Sequence, residues 1–293
     1  MRSEQAMLEL IVGTAQHDDR IRAVIMNGSR TNPNARRDPF QDFDIVYVVT
    51  EVESFRSDPR WIDRFGERMI LQLPELMQDP PPQNNGTFVY LMQFMDGNRI
   101  DLGLVPLAKL HELDRDSLSL LLLDKDGIIA PFAPPSDSDY LPKPPTAQQF
   151  ADCCNEFWWL CPYVAKGLWR EEIIYAKTMA DGPLREQLMK MLTWYVGMET
   201  GFTRSSGKLG KRFKQMLEPE LWALVEQTYA DAGYAQTWAA LSTMTKLFRV
   251  IATRVAAHFG FDYLYDDDEK VSAHLQHVQM LPKDALKMDG VTE

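Results

Sequence analysis

Residues 42–49 read Asp-Phe-Asp-Ile-Val-Tyr-Val-Val, and this stretch decides the fold. Its β-branched and aromatic residues predict a buried strand that begins at two acidic side chains. Because side chains alternate across a strand, Asp42 and Asp44 face the same side. Neighbouring carboxylates repel each other, so we expect either a solvated strand end or a binding site for a divalent cation.

The segment before this strand predicts a phosphate-binding turn. Residues 22–26 form a short apolar run that predicts a strand, and Asn27-Gly28-Ser29-Arg30 interrupts it. Glycine lets the backbone approach a ligand, while the free amides and the Ser29 hydroxyl can hold a phosphate. A Gly-Ser turn on its own is also typical of an ordinary structural turn.

A predicted hairpin adds a third carboxylate. Residues 87–95 and 99–105 predict two strands joined by the turn Asp96-Gly97-Asn98. Asp101 interrupts the apolar return strand, and if this strand lies beside residues 42–49, three carboxylates converge on one face of the sheet. Carboxylates and phosphate oxygens together suit Mg²⁺, and two such ions would align a phosphoryl displacement.

The rest of the chain predicts two domains and a tail. Residues 4–16 and 60–77 predict helices beside the strands, and the prolines of residues 131–145 predict a linker. Apolar residues then recur at helical spacing near residues 147–164, 167–180, 183–202, 218–231 and 234–259. We therefore expect an α+β protein, with a mixed sheet and flanking helices over residues 1–140, an all-α helical bundle over residues 141–265, and a polar tail over residues 266–293.

Composition excludes several classes of protein. Of the 293 residues, 45% are hydrophobic and 25% charged, which is typical of a globular chain, and the net charge of −11 argues against a general nucleic-acid binder. No run approaches the ~18 apolar residues that a membrane span needs. Cys153, Cys154 and Cys161 share one apolar segment and predict buried thiols in a reducing cytoplasm. The oligomeric state stays open.

The order of these features resembles a known superfamily. A strand, a Gly-Ser turn, an Asp-x-Asp strand and a later third aspartate are similar to the DNA polymerase beta-like nucleotidyltransferases. Within them, Gly28-Ser29-Arg30-Thr31-Asn32 and Phe40-Gln41-Asp42-Phe43-Asp44-Ile45 look like the aminoglycoside 6-adenylyltransferases, the streptomycin-modifying branch. Residues 163–168 and 197–202 extend the resemblance, which covers the chain to about residue 266.

The resemblance implies a nucleotidyltransferase fold for residues 1–140 and a reaction that confers antibiotic resistance. AMP would pass from ATP, the co-substrate, to the 6-hydroxyl of an aminoglycoside such as streptomycin, with release of pyrophosphate. Asp42, Asp44 and Asp101 would hold Mg²⁺, and Gly28 and Ser29 would cradle the β- and γ-phosphates in a cleft between the two domains.

Three basic residues are candidates for the triphosphate. Arg30 follows the Gly-Ser turn, and Lys208 and Lys211 flank Gly210 at a break between helices. Each of them is equally interpretable as a solvated loop residue.

The helical domain would then supply the acceptor site. A cationic small molecule suits the acidic chain, with Glu171 and Glu199 as carboxylate contacts and Trp159 as a stacking surface. Glu172 falls on the family's Glu-Ile pattern and is our candidate either for the general base or for a residue that positions the acceptor. The tryptophans are also interpretable as core residues and Glu171 as a surface residue. The alternative functions are an adenylyltransferase for another small molecule or for a protein, as an antitoxin modifies a toxin, and a nucleotide-binding protein without activity.

Overall fold

The computed structural model describes residues 1–82, 85–113 and 115–288. The chain divides into two compact units, Met1–Asp139 and a second unit that begins at Tyr140. Within the described ranges, every helix is too short or too polar to cross a lipid bilayer.

The first unit is built on one mixed sheet of six strands. The strands are β1 (Ile21–Asn27), β2 (Phe43–Val49), β3 (Arg68–Gln72), β4 (Phe88–Phe94), β5 (Arg99–Pro106) and β6 (Leu120–Asp124), with helices α1 (Glu4–His17) and α2 (Glu53–Arg56). Their order across the sheet is β3-β4-β5-β2-β1-β6. The β2 and β5 strands run parallel and all the other neighbours are antiparallel.

The two faces of the sheet differ in what covers them. Phe43, Ile45 and Tyr47 of β2 are buried in one hydrophobic core with residues of α1, and the Tyr47 hydroxyl donates a 2.6 Å hydrogen bond to the Ile11 carbonyl. Because the side chains alternate, the intervening position 44 of β2 lies on the opposite face. The central strands therefore pack on α1 with one face, whereas the other face carries Asp44 together with a smaller apolar cluster that includes Ala23, Ile25 and Val48.

The prediction of a helix over residues 60–77 is wrong. The segment contains a 3₁₀ turn at Trp61–Phe65, strand β3 and a second 3₁₀ turn at Pro74–Leu76. Gly66 follows the first turn with φ of 120°, a conformation that side chains other than glycine rarely adopt. Since β3 is an edge strand and most of its side chains are exposed, its sequence lacks the alternation that identifies a strand.

The second unit is helical. Its helices are α3 (Ala147–Trp169), α4 (Ile173–Met179), α5 (Arg185–Glu199), α6 (Phe213–Met216), α7 (Pro219–Gln227), α8 (Tyr234–Phe259) and α9 (Tyr265–Met280). The rings of Phe157 and Phe248 stack 3.7 Å apart between α3 and α8 in the core. All three cysteines are buried in α3 as free thiols, as predicted, and burial raises the pKa of the Cys153 thiol to about 12.

The polar tail predicted from residue 266 is wrong over its first part, because α9 occupies residues 265–280. Asp268 is only 2% exposed. Its carboxylate accepts hydrogen bonds from Arg249, Tyr263 and Ser272. Leu275 adds an apolar contact to the core of the unit. Residues 289–293 of the predicted tail lie outside the described residues.

Candidate active site

The structure brings the three predicted carboxylates together on the face of the sheet opposite α1. Asp44 of β2 lies directly opposite Asp101 of β5 in the parallel pairing, and Asp42 lies two residues before Asp44. One carboxylate oxygen of each residue lies within 4.8 Å of the others, and all three side chains are half-buried. Such a group of acids is costly to desolvate unless a cation compensates it.

Arg99 supplies a positive charge beside this group. Its Nε donates a 2.7 Å hydrogen bond to Asp101 Oδ1, and its Nη2 donates a 2.6 Å bond to Oδ2. The bonded Asp101 carboxylate raises the pKa of the Arg99 guanidinium, and the charges of Asp42 and Asp44 act in the same direction. Arg99 is not among the site residues predicted from the sequence. The sequence did contain an indication of its position, since residues 99 and 101 of one strand face the same side of the sheet.

The Gly-Ser turn lies against the carboxylates. β1 ends at Asn27, which is paired with Asp44, and Gly28–Arg30 form a 3₁₀ turn. Gly28 has φ of +75°, and a Cβ at this residue would collide with Asp44 Oδ2. The Gln41 side-chain amide donates 3.2 Å to the Ser29 carbonyl and 3.4 Å to its hydroxyl. Gln41, which is likewise absent from the predicted site residues, therefore fixes the turn to the start of β2.

The donor chemistry of this site fits Mg²⁺. The three side chains offer only carboxylate oxygens, the hard ligands that this ion prefers. Two buried amide oxygens beside them, Asn27 Oδ1 and Gln41 Oε1, have no hydrogen-bond partner among the described residues. A hydrated ion or a ligand at this site would satisfy such acceptors, because ordered water donates hydrogen bonds to buried oxygens.

The structure corrects the expectation for Arg30. The side chain is 6% exposed and lies over the Phe43 ring, 3.7 Å from its centroid. Nε and Nη2 donate to the backbone carbonyls of Asp42 and Gln41 at 2.9 and 2.7 Å, and Nη1 pairs with Glu4 at 3.2 Å. Arg30 is therefore buried rather than solvated, and its guanidinium is paired with groups of the protein itself. It holds the backbone on which Asp42 lies.

The other predicted basic residues lie in the second unit. Lys208 and Lys211 bracket a 3₁₀ turn at Lys208–Gly210, and both side chains are exposed. Leu209 between them has φ of 57°, in the left-handed region. Their exposure is compatible with the phosphate contacts and with the solvated loop that the sequence left open.

The residues predicted for the acceptor lie on different elements of the second unit. Trp159 is 63% exposed, whereas Trp158 is buried. Trp169 ends α3, next to the turn that carries Glu171. Trp159 lies ten residues earlier, about 15 Å away along the helix axis. Glu199 is the last residue of α5, and its charge adds a small contribution to the raised pKa of Arg254, which is caused mainly by the hydrogen bond of Arg254 to Tyr195.

Glu171 and Glu172 do lie together, at the turn between α3 and α4. Glu171 has φ of 62°, its carbonyl accepts a 2.6 Å hydrogen bond from the Tyr234 hydroxyl, and its carboxylate is 3.5 Å from Lys283 Nζ. Glu172 occupies the N-cap position of α4, but its side chain makes no capping hydrogen bond. The two exposed carboxylates line a surface depression with Ile174.

Comparison with known proteins gives matches along nearly the whole chain. The family described as streptomycin adenylyltransferase matches residues 1–278. A Campylobacter jejuni protein named aminoglycoside 6-adenylyltransferase is 43% identical over 277 residues, which are 94% of this chain and 95% of that protein. A Bacillus subtilis (strain 168) protein of the same name is 40% identical over 281 residues, 95% of this chain and 98% of its own.

Among solved structures, the crystal structure of an aminoglycoside 6-adenyltransferase from Bacillus subtilis is 35% identical. The match covers 96% of this chain and 100% of that chain, with a TM-score of 0.48.

Proposed function

Since the chain belongs to the streptomycin adenylyltransferase family, and is thus a nucleotidyltransferase, we propose that it transfers AMP from ATP to the 6-hydroxyl of streptomycin. The names of the relatives reported above specify an aminoglycoside as the acceptor and the 6-position as the site of transfer. One observation carries the proposal for this chain: three carboxylates with oxygens within 4.8 Å of one another lie directly beside the Gly28–Arg30 turn.

The reaction is a substitution at phosphorus. The acceptor hydroxyl oxygen forms a bond to the α-phosphorus of ATP, while the bond from that phosphorus to the oxygen bridging to the β-phosphate breaks. Pyrophosphate leaves with the bonding electron pair, and the hydroxyl proton passes to a base. Such a reaction needs alignment and charge neutralisation more than covalent catalysis.

The residues of the first unit would divide this work between them. Asp42, Asp44 and Asp101 would hold Mg²⁺, one ion or two. When bound, Mg²⁺ neutralises phosphate charge and favours ionisation of the acceptor hydroxyl. The amides of Gly28 and Ser29, with the Ser29 hydroxyl, would bind the β- and γ-phosphates, because exposed backbone amides in a tight turn make an anion-binding concavity.

The second unit would bind the acceptor. Streptomycin carries two guanidinium groups, which are planar cations that carboxylates bind through paired hydrogen bonds. Glu171 and Glu199 would bind these groups, Trp159 would stack on one of them, and Glu172 would accept the proton. Lys208 and Lys211 would contribute charge at the triphosphate.

The test is adenylylation of an aminoglycoside panel by the purified protein. Streptomycin, kanamycin and gentamicin would be incubated with ATP and Mg²⁺, and the adduct mass and pyrophosphate would be measured, with Asp44→Asn as the background. We expect AMP on streptomycin and little on the two amine-only aminoglycosides, because carboxylates placed for planar cations would pair imperfectly with amines.

Two other results would contradict the proposal. Equal or faster modification of kanamycin would refute the preference for guanidinium groups. Pyrophosphate release without modification of any aminoglycoside would favour the alternative acceptor, another small molecule or a protein.

A further inference from the structure

Arg99 is tied to the carboxylate group by a single partner. Within the described part of the chain, its side-chain hydrogen bonds go to Asp101, whose two oxygens both accept from it. The two residues lie on the same face of β5, and Asp101 faces Asp44 of the neighbouring strand. The Arg99 side chain is 45% exposed and that of Asp101 only 20%.

This geometry conflicts with a metal ion on the same carboxylate. A guanidinium that engages both Asp101 oxygens competes for the lone pairs that a metal ion needs, and the two cations repel each other at such short range. Asp42 and Asp44 are close enough for their charges to act on Arg99 as well. Without a metal ion, Arg99 is thus a cation that relieves the repulsion among the three acids.

Arg99 can leave this position, whereas Arg30 cannot. Arg30 is buried and fixed by the carbonyls of Gln41 and Asp42. The Arg99 guanidinium is partly solvated and held by one residue. Its fork of donors fits phosphate oxygens as well as it fits a carboxylate.

We propose that Arg99 is a resident counter-ion that exchanges partners: it holds Asp101 before ATP binds and moves to the phosphates when ATP binds with its metal. Asp101 then becomes available as a metal ligand only in the nucleotide complex. The inference rests on the proposed function, because it takes the three aspartates as metal ligands and ATP as the co-substrate.

The exchange predicts two opposite effects of removing Arg99. Metal ions alone bind better without a competing cation, whereas the metal–nucleotide complex binds worse without a phosphate ligand. A residue that only positions Asp101 would weaken both, and a residue that only binds phosphate would leave binding of the metal alone unchanged.

The experiment compares Arg99→Gln with a matched control, Arg22→Gln. Arg22 of β1 makes a similar two-bond ion pair with Asp126, and neither residue belongs to the carboxylate group. Mn²⁺ binding without nucleotide is measured by electron paramagnetic resonance. Binding of an ATP analogue with a methylene bridge between the α- and β-phosphorus is measured calorimetrically with Mg²⁺.

We expect Arg99→Gln to bind Mn²⁺ about tenfold more tightly than the wild type, and the analogue about tenfold more weakly. Arg22→Gln should match the wild type in both measurements. Arg99→Lys keeps the charge but loses the fork, so it should bind Mn²⁺ as the wild type does and the analogue with intermediate affinity. Circular dichroism of each variant checks that it is folded.

Unchanged or weaker Mn²⁺ binding by folded Arg99→Gln would overturn the inference and leave the proposed function intact. If Arg99→Gln did not fold, Arg99→Lys would decide, since Mn²⁺ binding much weaker than in the wild type would contradict the exchange. If Asp44→Asn bound the Mg²⁺–analogue complex as tightly as the wild type, the metal site of the proposed function would be refuted together with this inference.

Discussion

The Asp44 carboxylate occupies the space that a side chain at residue 28 would need. A Cβ on Gly28 would lie well inside contact distance of Asp44 Oδ2, and its three nearest atoms all belong to the Asp44 side chain. Gly28 also has φ of +75°, which disfavours other residues. Both the backbone conformation at residue 28 and the lack of room for a side chain therefore require glycine. The lack of room links the turn to the carboxylates, because the Asp44 side chain fills it.

Gly28→Ala should separate these two requirements. We expect AMP transfer to fall by about 100-fold, because the added methyl group displaces Asp44 and small misplacements of catalytic groups are costly. Gly127→Ala is the matched control: Gly127 has φ of +63°, but a methyl group there would meet no atom of the described residues within 4 Å. That variant should lose about 1 kcal/mol of unfolding free energy and keep its activity. Equal activities in the two variants would contradict the role assigned to the close approach.

Asp42→Asn and Asp44→Asn should separate activity from stability. Each change removes one negative charge from three that repel each other and creates no cavity, so the thermal unfolding temperature should stay level or rise. The rate of AMP transfer should fall by at least about 100-fold, the usual cost of losing one group that stabilises transition-state charge. Steady-state kinetics and differential scanning calorimetry measure the two quantities. Near-normal turnover in either folded variant would refute the metal assignment.

The carboxylate group could be predicted from sequence because it depends on one regular property of strands. Asp42, Asp44 and Asp101 lie at positions whose side is set by the alternation of side chains. Only the pairing of β2 with β5 had to be assumed. Arg30 could not be predicted in the same way, because its burial depends on two carbonyls and a ring that the fold brings to it.

The helix at residues 265–280 shows a second limit. Its buried contacts include a carboxylate, Asp268, which belongs to a run of four acidic residues, 266–269, that is typical of a solvated tail. What buries Asp268 is Arg249, nineteen positions earlier on α8, together with Tyr263. Because the charge of Asp268 is compensated by a residue far away in the sequence, residues 265–280 show too little apolar periodicity for the helix to be predicted.

Asp268→Asn should therefore destabilise the second unit strongly. The change keeps the shape of the side chain but weakens the hydrogen bonds that the buried carboxylate accepts from Arg249, Tyr263 and Ser272. Because Arg249 is 42% exposed and stays solvated, we expect a loss of about 1.5–3 kcal/mol, the range for a hydrogen bond to a charged group. Asp266→Asn is the control, because the Asp266–Lys270 pair is exposed to solvent and should contribute little to stability. Urea unfolding followed by tryptophan fluorescence compares the two. A similar loss in both variants would show that Asp268 is not an anchor.

Asp96 should make the first unit sensitive to acid. Its carboxylate accepts hydrogen bonds from Arg2 and Asn98, and the bond from the Arg2 side chain is the main cause of a pKa well below the usual value for aspartate. A depressed pKa stabilises the folded state above the unfolded pKa of about 3.9, and this contribution is lost as the pH falls towards the folded pKa.

The measurement is urea unfolding of Asp96→Asn and wild type at pH 7 and at about pH 3. At pH 7 the variant should be less stable by about 1–3 kcal/mol, the range for hydrogen bonds to charged groups. At the lower pH the difference should shrink, because the Asp96 carboxylate of the unfolded wild type is then protonated whereas the folded protein keeps it ionised, which favours unfolding. Asp63→Asn removes a more exposed partner of Arg68 and should show little difference at either pH. A difference for Asp96→Asn that grows in acid would contradict the sign.

Glu172→Gln should distinguish a base from a contact for the acceptor. The Glu172 carboxylate caps no backbone amide of α4 although it occupies the N-cap position, so its replacement should cost little stability. If Glu172 takes the hydroxyl proton, kcat falls by at least about 100-fold while KM for streptomycin is unchanged. Glu171→Gln should instead raise KM and leave kcat near the wild-type value. Glu226→Gln, at an exposed site on α7, controls for the loss of one negative charge. A raised KM alone in Glu172→Gln would assign Glu172 to acceptor binding. An equal effect in Glu226→Gln would show that the effects at Glu171 and Glu172 reflect only the general attraction of an acidic protein for a cation.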